Sequence, residues 1–162
     1  MTKTISLLGS TGSIGRQTLE VVRELGLQVA ALTASTQVDL MEQQIREFHP
    51  ALAVMYDRDA AKVLRERVAD LDTEVAEGPE GLLQAAKLPQ ADTVVTAVVG
   101  SVGLEPTLAA IRAKKRIALA NKETLVWNSY LCFGFSKCYY CSLKEPCCRC
   151  VSLFKRGRLQ LV

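Results

Sequence analysis

Apolar positions in this chain follow two rhythms in turn, and the alternation predicts its elements. Ile5-Ser6-Leu7-Leu8 is a short apolar run of strand length, and Arg16 to Leu25 is amphipathic with a helical period. Val29-Ala30-Ala31-Leu32-Thr33 predicts a second strand. Val38, Met41, Ile45 and Phe48 then share one helical face, and Pro50 ends that helix. Leu52-Ala53-Val54-Met55 predicts a third strand, and Ala61, Leu64, Val68 and Leu71 return to helical spacing. Thr73-Glu74-Val75 reads as a short strand. Gly78-Pro79-Glu80-Gly81 reads as a turn into a short helix through Ala86. Thr93 to Val99 is nearly continuous and β-branched, as a strand covered on both faces should be, which assigns Val94–Val99 to the core. Gly100-Ser101-Val102-Gly103 breaks it. Pro106 suits the first turn of the next helix, whose buried side is expected to include Leu108 and Ile111. Lys114-Lys115-Arg116 reads as a solvated turn into a last strand, Ile117-Ala118-Leu119-Ala120.

Strands alternating with helices predict an α/β fold, a Rossmann-like doubly wound and mostly parallel sheet. Ligands of such sheets bind beyond the carboxyl ends of the strands. Gly9–Gly15, Ala34–Gln37, Gly100–Gly103 and Asn121–Glu123 each follow a predicted strand, so four loops are expected along one rim. The chemistry of the first loop points the same way. Gly9-Ser10-Thr11-Gly12-Ser13-Ile14-Gly15 lies between a strand and a helix, the arrangement that holds a dinucleotide pyrophosphate. Glycines permit a tight turn and close approach. The N–H groups and positive end of the helix face the phosphates, and Thr11 and Ser13 add hydroxyl donors.

The second loop bears on which dinucleotide. Folds that prefer NAD usually carry Asp or Glu at the end of the second strand, about 20 residues past the glycine turn. Here that place reads Ala34-Ser35-Thr36-Gln37, with hydroxyl and amide donors and no carboxylate to repel a 2′-phosphate. This favours NADPH, although the Arg or Lys found at many such sites is absent. Asp39 is expected to cap the next helix. His49, before Pro50, reads as a surface or helix-end residue rather than a catalyst.

Composition divides the chain. At 162 residues it has room for one core or one domain with an appendage, and 49% hydrophobic against 23% charged residues is ordinary for a globular protein. Residues 1–126 carry fourteen Lys and Arg against sixteen Asp and Glu, whereas residues 127–162 carry six against one. The body therefore has no electrostatic case for binding nucleic acid. All six cysteines lie between Cys132 and Cys150. The expected organisation is a nucleotide-binding domain over 1–126 and a Cys-rich basic tail over 127–162. No apolar run reaches the length of a membrane span, and the N-terminus does not read as a secretory leader, so the expected compartment is the cytoplasm.

Three motifs carry a family resemblance. Leu8-Gly9-Ser10-Thr11-Gly12-Ser13-Ile14-Gly15 with Thr18-Leu19-Glu20-Val21-Val22, then Gly103-Leu104-Glu105-Pro106-Thr107-Leu108-Ala109-Ala110-Ile111, then Leu119-Ala120-Asn121-Lys122-Glu123-Thr124-Leu125-Val126 resemble 1-deoxy-D-xylulose 5-phosphate reductoisomerase. Their order and spacing match that family's N-terminal NADPH-binding domain over about residues 3–126. The resemblance implies an enzyme of non-mevalonate isoprenoid biosynthesis. Such enzymes rearrange 1-deoxy-D-xylulose 5-phosphate and reduce the resulting aldehyde with NADPH to 2-C-methyl-D-erythritol 4-phosphate. A divalent ion, magnesium or manganese, polarises the substrate oxygens. The family's members are homodimers. By motif match Thr11, Gly12, Ser13 and Ile14 contact the NADPH pyrophosphate and ribose, and Ser35, Thr36 and Gln37 lie at the 2′-phosphate. Asn121 and Glu123 hold the nicotinamide half, and Lys122 reaches the substrate. As a strand-end ammonium, Lys122 also suits pairing with an oxygen of a small anionic substrate.

The resemblance stops at Val126. The family's catalytic domain, with acidic metal ligands around an Asp-Ser-Glu motif, has no counterpart in residues 127–162, where Glu145 is the one carboxylate and histidine is absent. No metal ligand is assigned, and the 162-residue chain is expected to look truncated and to lack activity alone. A shifted reading frame explains the break in cysteine, charge and periodicity most simply. Cys138-x-x-Cys141 with Cys147, Cys148 and Cys150 has the ligand type of a zinc module but lacks a second Cys-x-x-Cys pair. Two other functional classes stay open on the residues alone. One is another NADP-dependent oxidoreductase such as a semialdehyde dehydrogenase, although the body has no cysteine for that chemistry. The other is a nucleotide-binding module without catalysis.

Overall fold

A computed structural model describes residues 3–120 and the backbone of residues 150–151. The described strands are β1 (Thr4–Leu8), β2 (Gln28–Ala34), β3 (Leu52–Met55), β4 (Glu74–Glu77), β5 (Thr93–Thr96), β6 (Arg116–Leu119) and the two-residue β7 (Cys150–Val151). The helices are α1 (Ser13–Leu25), α2 (Val38–Phe48), α3 (Arg58–Arg67), α4 (Gly78–Lys87) and α5 (Leu104–Arg112). The strands form one sheet in the order β4-β3-β2-β1-β5-β6-β7, and every pairing is parallel. The chain winds outward from β1 through β4, then returns to the other side of β1 as β5. That reversal is the switch point where an open α/β sheet leaves a crevice.

Alternation along the strands sends side chains to two cores. Ile5, Leu7, Ala53, Met55 and Val95 pack with Leu19 and Val22 of α1, Met41 and Ile45 of α2 and Leu64 of α3. Leu8, Leu52, Val54 and Val94 pack with Leu82 and Ala85 of α4 and Ala110 of α5. Burial on both faces explains why these strands are apolar runs rather than half-polar stripes. Ser6, Thr33 and Thr96 are buried polar exceptions, and the Ser6 hydroxyl donates to the Ala85 carbonyl at 2.8 Å.

Several expectations are corrected. Helix α1 starts at Ser13, not Arg16, so the end of the glycine turn is itself the first helical turn. Helix α4 likewise starts at Gly78, inside the expected turn. The apolar run from Thr93 to Val99 is not all strand or all core. β5 ends at Thr96, where its neighbours also end, and Val99 is 88% exposed. Thr96 is the last paired residue because β1 stops at Leu8 and β6 at Leu119. Leu108 and Ile111 are only half-buried. α5 instead turns Thr107 and Ala110 to the sheet, small residues that let it approach closely. Asp39 does not cap α2. Gln37 occupies that position without a side-chain bond, and Asp39, in the first turn, pairs with Arg67. Lys115 is not simply solvated, since its ammonium donates to the carbonyls of Leu88, Pro89 and Ala91 at 2.9, 3.3 and 2.7 Å. His49 is exposed and ends α2 in the left-handed conformation, as its place before Pro50 suggested.

Apart from the backbone of Cys150–Val151, the Cys-rich basic tail expected over 127–162 lies outside the described residues, as do Asn121, Lys122 and Glu123. Among the described residues no helix is long and apolar enough to cross a membrane.

Candidate functional site: the rim of the switch point

The glycine turn leaves β1 and is gathered against the end of β2. Gly9 has φ +89°, and its N–H donates to the Thr33 carbonyl at 3.1 Å and the Thr33 hydroxyl at 2.9 Å. The Ser10 N–H reaches the same carbonyl at 2.8 Å. A Cβ on Gly9 would lie 2.8 Å from the Ala97 oxygen, so the turn is pressed against the segment after β5. A Cβ on Gly15 would collide with the Gly9 carbonyl, so α1 can rise from the turn this steeply only if that residue is glycine.

This geometry exposes the start of α1. The Arg16 N–H bonds to the Gly12 carbonyl at 2.9 Å and is the first to bond back. The N–H groups of Ser13, Ile14 and Gly15 precede it, where a helix offers no intrahelical acceptor. They stand at the positive end of the helix dipole, where an anion is favoured. Gly12 and Ser13 are exposed and Thr11 and Ile14 half-buried, so the four expected residues form one accessible edge.

The second loop lies beside the first. Ser35, Thr36 and Gln37 are all exposed at the end of β2. The Thr36 carbonyl accepts the Val38 N–H at 3.0 Å and the Gln37 carbonyl accepts the Met41 N–H at 3.1 Å, which fixes the loop as the entrance to α2. From the turn after β3, the Asp57 N–H donates to the Ser35 carbonyl at 3.2 Å. Asp39, the carboxylate nearest in sequence, and Asp57, whose backbone meets the loop, are both engaged elsewhere. Asp57 accepts the Ala60 N–H at 2.8 Å as the cap of α3, and Asp39 pairs with Arg67. That pairing, through its hydrogen bond first, raises the Arg67 pKa above the ordinary value.

The third loop, a tight 3-10 turn over Gly100–Gly103, follows β5. The buried Thr107 hydroxyl donates to the Gly103 carbonyl at 2.6 Å and lies 3.2 Å from the Thr96 hydroxyl. β6 ends on the same rim, where the Ala120 N–H donates to the Thr96 carbonyl at 3.1 Å. Three of the four expected loops therefore converge, and Asn121–Glu123 of the fourth fall outside the described residues. Among the described residues no group of three or more His, Cys, Asp or Glu side chains is placed to hold a metal ion.

The residues that fix these loops were not singled out from the sequence. Thr33 and Thr107 sit among apolar neighbours and resemble ordinary β- and helix-core positions. Gln44 left a readable trace. It falls on the apolar face of α2, between Met41 and Phe48, and is 5% exposed. A polar residue on an apolar face has a buried partner to meet.

A parallel sheet with a glycine turn and an open helix start at its switch point defines a Rossmann-like α/β fold. The sequence model of the family described as 1-deoxy-D-xylulose 5-phosphate reductoisomerase matches residues 5–129, and the chain belongs to that family. It is 51% identical over 142 residues to the reductoisomerase of Agathobacter rectalis, covering 87% of this chain and 37% of that protein. It is 55% identical over 130 residues to that of Lachnoclostridium phytofermentans, covering 80% and 34%. A reductoisomerase crystal structure with magnesium superposes with a TM-score of 0.74 at 42% identity, over 78% of this chain and 32% of that one. The Zymomonas mobilis reductoisomerase, solved with NADPH, gives 0.73 at 41% identity, over 78% and 34%. The chain thus spans about a third of the length of the curated relatives it matches.

Proposed function

We propose that this chain supplies the NADPH-binding part of a 1-deoxy-D-xylulose 5-phosphate reductoisomerase. The observation that carries the reading is the convergence of the Gly9–Gly15 turn and the Ser35–Gln37 loop on the rim at the β1/β5 switch point. The residues present fit the cofactor. A turn packed too tightly for a Cβ on Gly9 or Gly15 leads into an exposed helix start, and the loop beside it holds donors without a carboxylate. Bound there, NADPH supplies the hydride for the reduction. Thr11, Gly12, Ser13 and Ile14 hold the pyrophosphate and ribose with N–H and hydroxyl donors. Ser35, Thr36 and Gln37 donate to the 2′-phosphate. By motif, Asn121 and Glu123 hold the nicotinamide half and Lys122 pairs with an oxygen of the phosphorylated sugar. Crystal structures of relatives contain NADPH, fosmidomycin and magnesium, which supports a phosphorylated substrate and a divalent ion for the family reaction. The described residues do not fit that ion, so no step is assigned to it here.

The test is calorimetric titration of the 162-residue chain. NADPH should bind at least about tenfold tighter than NADH, a difference of roughly 1.4 kcal/mol. Equal affinities would remove the 2′-phosphate assignment, and no binding of either would remove the whole reading. Because the chain spans a third of its relatives and its described part lacks a metal cluster, we also expect no turnover with NADPH, magnesium and the deoxyxylulose phosphate. Measurable 2-C-methyl-D-erythritol 4-phosphate would overturn that.

A further inference from the structure

We propose that Gln44 of α2 is a positioning residue for the pyrophosphate turn: by holding the Ser10 carbonyl inward, it aims the Thr11 N–H outward at the bound anion. Gln44 is 5% exposed, and its Nε2 donates to the Ser10 oxygen at 3.1 Å. Ser10 itself is fully buried, with its hydroxyl 3.7 Å from the Met41 sulfur and its N–H on the Thr33 carbonyl. The Ser10–Thr11 peptide is trans, so its C=O and N–H point in opposite directions. A donor fixed on the buried side of that peptide therefore fixes the direction of the N–H on its exposed side.

The same helix reaches the second loop. α2 begins on the carbonyls of Thr36 and Gln37 and meets the glycine turn about two helical turns later, at Gln44. It thus ties the 2′-phosphate loop to the pyrophosphate turn as one rigid piece. Retaining Gln44 for packing alone is a poor explanation, because its Oε1 is buried without a hydrogen-bond partner among the described residues. A side chain that leaves one polar atom unpaired, where an apolar one would fill the space, is kept for what its other atom does.

The inference rests on the nucleotide reading above, and the experiment separates the two. NADP⁺ and adenosine 2′,5′-bisphosphate are titrated by calorimetry into the wild-type 162-residue chain, Gln44→Met and Ile45→Val, and the melting temperature of each free protein is recorded. Gln44→Met keeps the length of the side chain and removes its donor. It should weaken both nucleotides about tenfold while melting no lower than Ile45→Val, a packing change at the neighbouring fully buried position. Ile45→Val should bind both nucleotides as the wild type does. Affinities of Gln44→Met within twofold of wild type would overturn the proposal. So would a loss shared by Ile45→Val, which would mark it as a general effect of loosening α2. If Gln44→Met does not fold, Gln44→Leu carries the same comparison, since it too has no donor for the Ser10 carbonyl. Wild-type protein that binds neither nucleotide would overturn the nucleotide reading and this proposal with it.

Discussion

Gly15 has the least latitude of any residue at the rim. It is buried where α1 leaves the turn, against the Gly9 carbonyl and the Ser10 backbone. Those atoms are backbone already held by Thr33 and Gln44, so they have little freedom to yield. Gly15→Ala should therefore cost about 1–3 kcal/mol in urea unfolding, the range for overpacking a tight site. It should also weaken NADPH further than the stability loss accounts for, because α1 must tilt away. Gly12 is a contrast: a Cβ there meets only ordinary contact, with the Gly9 oxygen at 3.8 Å. Gly12→Ala should fold normally and lose nucleotide affinity alone, as measured by melting and titration side by side. The three glycines look alike in the sequence at equal spacing. Their different roles come from what each Cα faces.

At the scale of elements, α2 and α3 are joined by an exposed charge network. Arg46 pairs with Asp70 at 2.8 Å and with Glu42 at 3.1 Å, while Arg67 reaches Asp39 and Glu42. The Arg46 hydrogen bond holds the Asp70 carboxyl below its ordinary 3.8. A carboxylate whose pKa is depressed on folding stabilises the protein above its unfolded pKa, and the contribution is lost as pH falls through the folded value. Asp70→Asn should accordingly melt slightly below the wild type at pH 7, with the gap closing as the pH is taken below 3.8. The gap should also shrink in high salt, since the pair faces solvent. A gap unchanged at pH 2.5 would show that the asparagine acts through packing. The helices themselves were legible because their apolar faces repeat at i, i+3 and i+4. Their starts were less so. Ser13 and Gly78 begin helices whose first turns carry glycines and polar residues, so the apolar period registers only later.

At the scale of the whole molecule, the described chain keeps an apolar rim. Val99 is 88% and Val102 43% exposed in the loop after β5, and Tyr56 is 41% exposed after β3. Apolar surface beside a ligand crevice invites association with other surfaces. The 162-residue chain should self-associate in light scattering at high concentration, and Val99→Ser with Val102→Ser should shift it toward monomer. Their effect on stability should stay within about 0.5 kcal/mol each, as for exposed positions. A large drop in melting temperature would mean that these side chains are packed. The Thr93–Val99 run also marks a limit of reading by composition. β-branched residues mark a strand, but where that strand ends depends on where its neighbours stop pairing.

The order of the elements, the α/β class, the glycine turn and the lack of a carboxylate after β2 were determined by the sequence alone. Each depends on residues within one turn or strand of one another, through periodicity and backbone stereochemistry. Tertiary structure decided which strands lie side by side, and so that the glycine turn meets Ala97 and the loop after β2. It also decided that Thr33, Gln44 and Thr107 hold the turns, that Asp39 serves Arg67 rather than α2, and that Lys115 is anchored on three carbonyls. These depend on hydrogen bonds and burial between residues far apart in the chain, and the energy of a polar group is set by the partner it meets once water has gone.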